Sequence, residues 1–187
     1  MDETCRGILP LRVLLPLYPA EFCGDISDAE AKELLDLLKK QALYLLMDYL
    51  AKAEHSEFQC RNLLKRKQFE ASIREETIAR CRELGYLDNA RFAEVLINSH
   101  IARRASKRAI SAKLREQRIA PLIWEPLLEE LYDKEEAADN LSLLLKKYCA
   151  THRGLEPQKL KEKAFTYLFR KGFDLGDIQA AWEDLGK

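Results

Sequence analysis

From Ala29 onward the apolar residues recur every three or four positions with little two-residue alternation, a spacing that predicts helices and not strands. Helix starts are marked where a small polar residue precedes an acid or amide by three positions: Ser27 with Glu30, Ser56 with Gln59, and Asp133 with Glu136. In such a pair each side chain can accept from the other residue's backbone amide, which satisfies donors a helix start leaves open. Seven glycines and six prolines are all that otherwise punctuate the chain, so the expected class is all-α.

The apolar pattern repeats. A shift of 50 residues, with no gap, places Ala42, Leu45 and Leu46 on Phe92, Val95 and Leu96, Ser56 on Ser106, Leu64 and Phe69 on Leu114 and Ile119, and Ile73, Ile78 and Cys81 on Ile123, Leu128 and Leu131. A third unit follows with a longer first connection near His152 to Pro157: Leu141, Leu144, Leu145 and Tyr148 form the first stripe, then Leu168, Phe173, Trp182 and Leu185. Each unit reads as a helix of about four turns, a second helix ending in a basic Leu-x-x-x-x-aromatic-or-aliphatic pattern, a tight turn and a third helix. Three helices sharing one apolar face make a small bundle. The predicted organisation is an extension over 1–40, then three-helix repeats over 41–86, 87–133 and 134–187, in a tandem, elongated and curved array. A unit this small buries little surface, so neighbours are expected to lean on one another. Within the extension, Gly7 to Tyr18 reads as a short hairpin or an extended arm, and Asp28 to Lys40 as an amphipathic helix with Ala31, Leu34, Leu35 and Leu38 inward; no role follows from it.

Charge sharpens the picture only when taken by segment. Thirty-one Lys and Arg balance thirty-one Asp and Glu overall, yet residues 86–118 hold eight cations against three acids, and residues 119–140 hold seven acids against one lysine. The second repeat carries Arg103, Arg104, Lys107, Arg108, Lys113, Arg115 and Arg118; Arg61, Lys65, Arg66 and Lys67 occupy the corresponding place in the first, and Arg170 with Lys171 in the third. Such a ridge suits phosphate oxygens or an acidic protein surface. It suits equally a solvated face answering Glu125, Glu129, Glu130 and Asp133, or cations gathered at the negative ends of helices. Trp124, Trp182, Phe92, Phe165, Phe169 and Phe173 fall on apolar stripes or helix ends and are expected in the core.

Several function classes are disfavoured. Cys5, Cys23, Cys60, Cys81 and Cys149 are scattered and form no C-x-x-C pair, which argues against a disulfide framework or zinc site and for a reducing cytoplasm. His55, His100 and His152 stand apart from other metal-ligating types. No nucleophile elbow, phosphate loop or H-E-x-x-H is present, so neither catalysis nor a cofactor is expected. The stretch from Ile8 to Leu17 is broken by Pro10, Arg12 and Pro16 and reads as neither a signal peptide nor a membrane span.

Gly85-Tyr86-Leu87-Asp88-Asn89-Ala90-Arg91-Phe92 joins the first two repeats, with Gly85 suited to a left-handed helix stop and Asp88 placed to cap the next helix. This string resembles the G-Y-L-D-D-x-R-F signature of the RecX family. Ser56 to Phe69 is similar to that family's S-x-x-E-L-x-x-K-L-x-x-K-G-F segment, Lys107 to Ile119 to its R-x-I-x-x-E-L-x-x-K-G-I segment, and Tyr167 to Phe173 to its R-x-L-x-R-R-G-F stretch, with Ile178 and Trp182 at apolar positions beyond. The resemblance runs in order from about Gln41 to the C-terminus. It implies a monomeric, non-enzymatic regulator that docks in the groove of the RecA filament on DNA and lowers its recombinase, ATPase and co-protease activities, with weak contact to single- or double-stranded DNA and no membrane. A direct DNA-binding module is the rival reading, because three-helix units with a basic second helix resemble helix-turn-helix domains. The chain departs from the family at Arg103-Arg104-Ala105-Ser106-Lys107, where a glycine-rich connector is usual, and at Gln68 and Arg118, where glycine is usual. Those turns are expected to be strained or differently built.

Overall fold

The structure, a computed structural model, describes residues 6–17 and 25–186. Cys5, Cys23 and Tyr18 lie outside the described residues. Among those described there are ten helices and no strand: α1 (Leu11–Leu14), α2 (Asp28–Leu50), α3 (Glu57–Arg66), α4 (Ala71–Glu83), α5 (Asn89–Ile101), α6 (Lys107–Glu116), α7 (Pro121–Leu131), α8 (Lys134–Thr151), α9 (Pro157–Arg170) and α10 (Leu175–Leu185). The chain forms two compact units, residues 1–89 and 90–187.

In the first unit α2 packs on α3 and α4 around Leu38, Ala42, Leu46, Cys60, Leu64, Phe69, Ile73, Ile78 and Cys81. The helix expected over Asp28 to Lys40 and the first helix of the repeat are one continuous α2, since no glycine or proline interrupts the segment. Its start is the reciprocal cap anticipated at Ser27 and Glu30. Ala31, expected inward, is exposed, and burial begins in earnest at Leu38. Burial pushes the Cys60 thiol up to about 12, so this cysteine behaves as core hydrocarbon and not as a nucleophile.

The second unit holds two clusters. One joins Phe92, Ala93 and Ile97 of α5 to Ile110, Leu114, Ile119, Trp124 and Leu128; the other joins Leu141 and Leu145 of α8 to Ala164, Leu168, Phe173, Ile178 and Ala181. Val95, placed on the α5 stripe by the repeat, is 51% exposed. Asp133 caps α8 by accepting from the amides of Glu135 (2.7 Å) and Glu136 (3.3 Å), without the return contact that would complete a box. We keep the division into 41–86, 87–133 and 134–187 as a proposal; the first cluster also draws in Leu38 and Leu87 from outside 41–86.

The leucine-to-aromatic spacing is the signature of a helix stop. At the end of α3, Gln68 N–H donates to the Lys65 carbonyl (2.9 Å) and Phe69 N–H to that of Leu64 (3.1 Å). Arg118 with Ile119, and Gly172 with Phe173, repeat this pair of bonds at the ends of α6 and α9. This is the Schellman arrangement, in which a left-handed residue reverses the chain and the next residue folds back over the buried leucine. The left-handed positions are Gln68 (φ 62°), Arg118 (φ 56°) and Gly172 (φ 93°), so two of the three hold a conformation that costs an L-residue about 1–2 kcal/mol. Arg104 (φ 58°), in the connector that lacks the family's glycines, does the same, and Gly85 (φ 74°) stops α4 as expected. The turns keep their shape without glycine and carry the strain.

Replacing Gln68 by glycine should relieve this strain and raise stability by about 1 kcal/mol, seen as a higher urea midpoint with unchanged slope, whereas Gln68→Val should lower it.

Candidate partner-binding surface

The middle helices of the first two repeats, α3 and α6, each begin at a capping serine, whereas α9 begins at Glu156 without a side-chain cap. Ser56 and Ser106 are buried, and their hydroxyls accept from the amides of Gln59 and Ala109, both at 3.2 Å. The glycine-free connector therefore still delivers a capped helix, with Lys107 and Arg108 in its first turn.

Seven of the thirteen cations singled out from the sequence are engaged within the chain. Arg61 on α3 grips Glu75 on α4 through Nε and Nη2, both at 2.7 Å; this fork holds the Glu75 carboxyl below its ordinary range and raises the guanidinium. Lys107 pairs with Glu129 on α7, which lowers the Glu129 carboxyl. Lys113 pairs with Glu116 (2.7 Å), the Arg115 guanidinium lies 5.3 Å over the Trp124 ring, and Lys171 Nζ lies 5.3 Å over Tyr167. Arg118 is likewise engaged. The reading of a basic face answering an acidic third helix thus holds for Lys107 and Glu129, while Asp133 is spent on capping α8.

Arg108 joins the two helical triplets of the second unit. Its Nη2 donates to the Phe169 carbonyl (2.8 Å) and its guanidinium stacks 4.6 Å from the Phe169 ring centroid. Beside it Ser106 Oγ donates to the Lys171 carbonyl (2.9 Å). The last turn of α9, where the Phe169 carbonyl already accepts from Gly172 N–H (2.9 Å), is further closed by the start of α6. Gly172 permits the approach: a Cβ there would collide with Ser106 Oγ and stand 3.2 Å from the Ala109 amide nitrogen. Phe169, expected in the core, is 43% exposed, with Arg108 lying over its ring. A neighbouring cleft of about 480 Å³ is lined by Lys107, Arg108, Lys134, Asp174, Asp177 and Asp184, charges of both signs that create no single-sign field.

Among the described residues Lys65, Arg66, Lys67, Arg103, Arg104 and Arg170 enter no ion pair. Three of them, Lys65, Arg66 and Arg170, border two equivalent hollows that the sequence reading missed. In the first unit Tyr49, Gln59, Asn62, Lys65 and Arg66 line a shallow hollow of about 460 Å³, and Tyr49 stacks on His55 with ring centroids 3.6 Å apart. In the second, Tyr148, Lys163, Thr166, Tyr167 and Arg170 line another of about the same volume, 460 Å³, and Tyr148 stacks on His152 at 4.1 Å. The signal available was Tyr49 and Tyr148 holding the same place on the first-helix stripe. In the second repeat burial lowers the His100 imidazole below its ordinary value, and the charges of Arg103 and Lys113 add to the effect.

Among the described residues no group of His, Cys, Asp and Glu is arranged to hold a metal ion, and no helix is long and apolar enough to cross a membrane. Helical triplets built on one pattern, each around its own cluster, define a helical-repeat protein. Residues 134–182 match the family model described as the third three-helix domain of RecX. The chain is 30% identical over 151 residues to a regulatory protein RecX of Finegoldia magna, covering 79% of this chain and 74% of that one. It is 27% identical to that of Haemophilus influenzae, covering 76% and 97%. The crystal structure of RecX from Lactobacillus salivarius shares the fold with a TM-score of 0.69 and 17% identity over 79% of this chain and 96% of that one. The chain belongs to the RecX family, a family of regulatory proteins and not of enzymes.

Ser106→Ala removes both a helix cap and the bond to Lys171, and is expected to cost about 1–2 kcal/mol in urea unfolding. In a proton NMR titration His100 should titrate below about 6.5, the ordinary histidine value, and Arg103→Gln should move it upward without restoring that value, since burial is the larger cause.

Proposed function

We propose that this protein binds the RecA recombinase filament on DNA and lowers its recombinase, ATPase and co-protease activities, acting by binding and not by catalysis, as a monomer in the cytoplasm. It would thereby restrain homologous recombination, DNA repair and the SOS response. Membership of a family of RecX regulators carries this reading. The contact residues are taken to be Lys65, Arg66, Lys67, Arg103, Arg104 and Arg170, because a cation already satisfied within the chain gains less from an acidic partner. Arg61, Lys107, Lys113, Arg115 and Lys171 are assigned to holding their own repeats, and Arg108 to joining two.

The same unpaired cations favour direct contact with DNA as a second reading. Salt separates the two: affinity for naked duplex should fall with a log–log slope of roughly −0.9 for every phosphate contacted.

The decisive measurement is ATP hydrolysis by RecA on single-stranded DNA with increasing amounts of this protein. Wild type should inhibit. Joint replacement of Lys65, Arg66 and Lys67 by alanine, or of Arg103 and Arg104, should raise the half-inhibitory concentration about tenfold, equivalent to about 1.4 kcal/mol, while Lys107→Ala should change it little. Absence of inhibition at saturating protein would overturn the reading, and equal loss in Lys107→Ala would overturn the assignment of contacts.

A further inference from the structure

The N-terminal arm, for which the sequence suggests no task, is seated on the first triplet. Glu70 N–H donates to the Arg6 carbonyl (2.8 Å), and Leu9 packs against the first core. Gly7 passes between Leu38 and Phe69 so closely that a Cβ would stand 2.9 Å from Leu38 Cδ2 and 3.3 Å from Phe69 Cδ1. Arg6 Nε reaches the Glu70 carboxylate at 3.8 Å. The chain therefore lies in a groove that reads one main-chain carbonyl, one cation, one missing side chain and one aliphatic anchor.

The fit is incomplete. A cleft of about 300 Å³ remains beside the arm, bordered by Ile8, Pro10, Gln41, Leu45, Arg66 and Lys67. Ile8 is 54% exposed, and the buried Glu70 Oε2 has no hydrogen-bond partner, Arg6 being too distant to supply one. A segment whose Ile8 stays exposed, whose ion pair is long and whose leucine is only half-buried opens at lower free energy than the helices beneath it.

We propose that this groove is a docking surface for an extended peptide segment bearing a basic residue, then glycine, then aliphatic residues, and that Arg6–Leu9 is its resident and displaceable occupant. Glu70 selects the cation, the gap between Leu38 and Phe69 selects glycine, and the unfilled cleft accommodates a side chain larger than the arm supplies. Recognition through a main-chain bond with side-chain pockets beside it is a general means of binding extended peptides. The cleft reaches Arg66 and Lys67, so a segment docked there lies beside two of the unpaired cations.

A fluorescent peptide with the sequence of residues 6–17 tests the proposal by anisotropy against the full chain and against full-length Gly7→Val, whose own arm the Leu38 and Phe69 contacts exclude. The variant should bind the peptide about tenfold more tightly than wild type does, and peptides carrying Gly7→Val or Arg6→Glu should bind neither protein. A variant with wild-type circular dichroism that fails to bind the peptide at millimolar concentration would overturn the proposal. Hydrogen exchange on the wild type gives a second measurement that needs no variant. The Glu70 amide, bonded to the arm, should exchange about tenfold faster than those of Phe69 and Arg74, bonded within the triplet. Equal protection would make the arm an integral part of the bundle and equally overturn the proposal.

Discussion

A short helix that must reverse and present a partner across a small core depends on how it stops. In all three triplets the stop is the same: a buried leucine three positions before the cap residue, a left-handed residue just past it, and an aromatic or aliphatic residue closing back over the leucine. Leu64, Leu114 and Leu168 are wholly buried, and Phe69, Ile119 and Phe173 nearly so. Each turn satisfies two carbonyls that would otherwise face the core unpaired and aims the next helix back along the bundle. The geometry is so constrained by packing that glutamine and arginine adopt it at two of the three sites, where glycine would do so without strain.

The same stops organise contacts beyond the bundle. In the second unit the Gly172 turn is received by Ser106 and Arg108 at the start of α6, so one triplet's helix end is completed by its neighbour's helix beginning. In the first unit the turn at Phe69 is covered by Gly7 of the arm. The two turns are covered by different routes, one by side chains of a neighbouring triplet and the other by the arm.

Charge is divided between holding and reaching. Lys107 and Arg61 spend their charge on Glu129 and Glu75, across helices of one triplet, and Arg108 spends its own on the carbonyl and ring of Phe169. Lys65, Arg66, Lys67, Arg103, Arg104 and Arg170 cluster at or just beyond helix C-termini, where the helix dipole favours a cation without consuming it. A net charge of zero thus conceals a surface with local, directed cations.

The all-α class, the repeat, the caps at Ser27, Ser56 and Asp133 and most of the core were legible in the chain, because apolar period and capping chemistry act between residues three to five positions apart. The left-handed strain at Gln68 and Arg118 was foreseen from the missing glycines for the same local reason. Only the tertiary structure decided that Phe169 is exposed under Arg108, that Lys107 is neutralised by Glu129, that Tyr49 and Tyr148 stack on histidines, and that the arm passes between Leu38 and Phe69. These depend on groups distant in the chain being brought to within a few ångströms, and a one-dimensional pattern carries the chemistry of each partner without the distance between them.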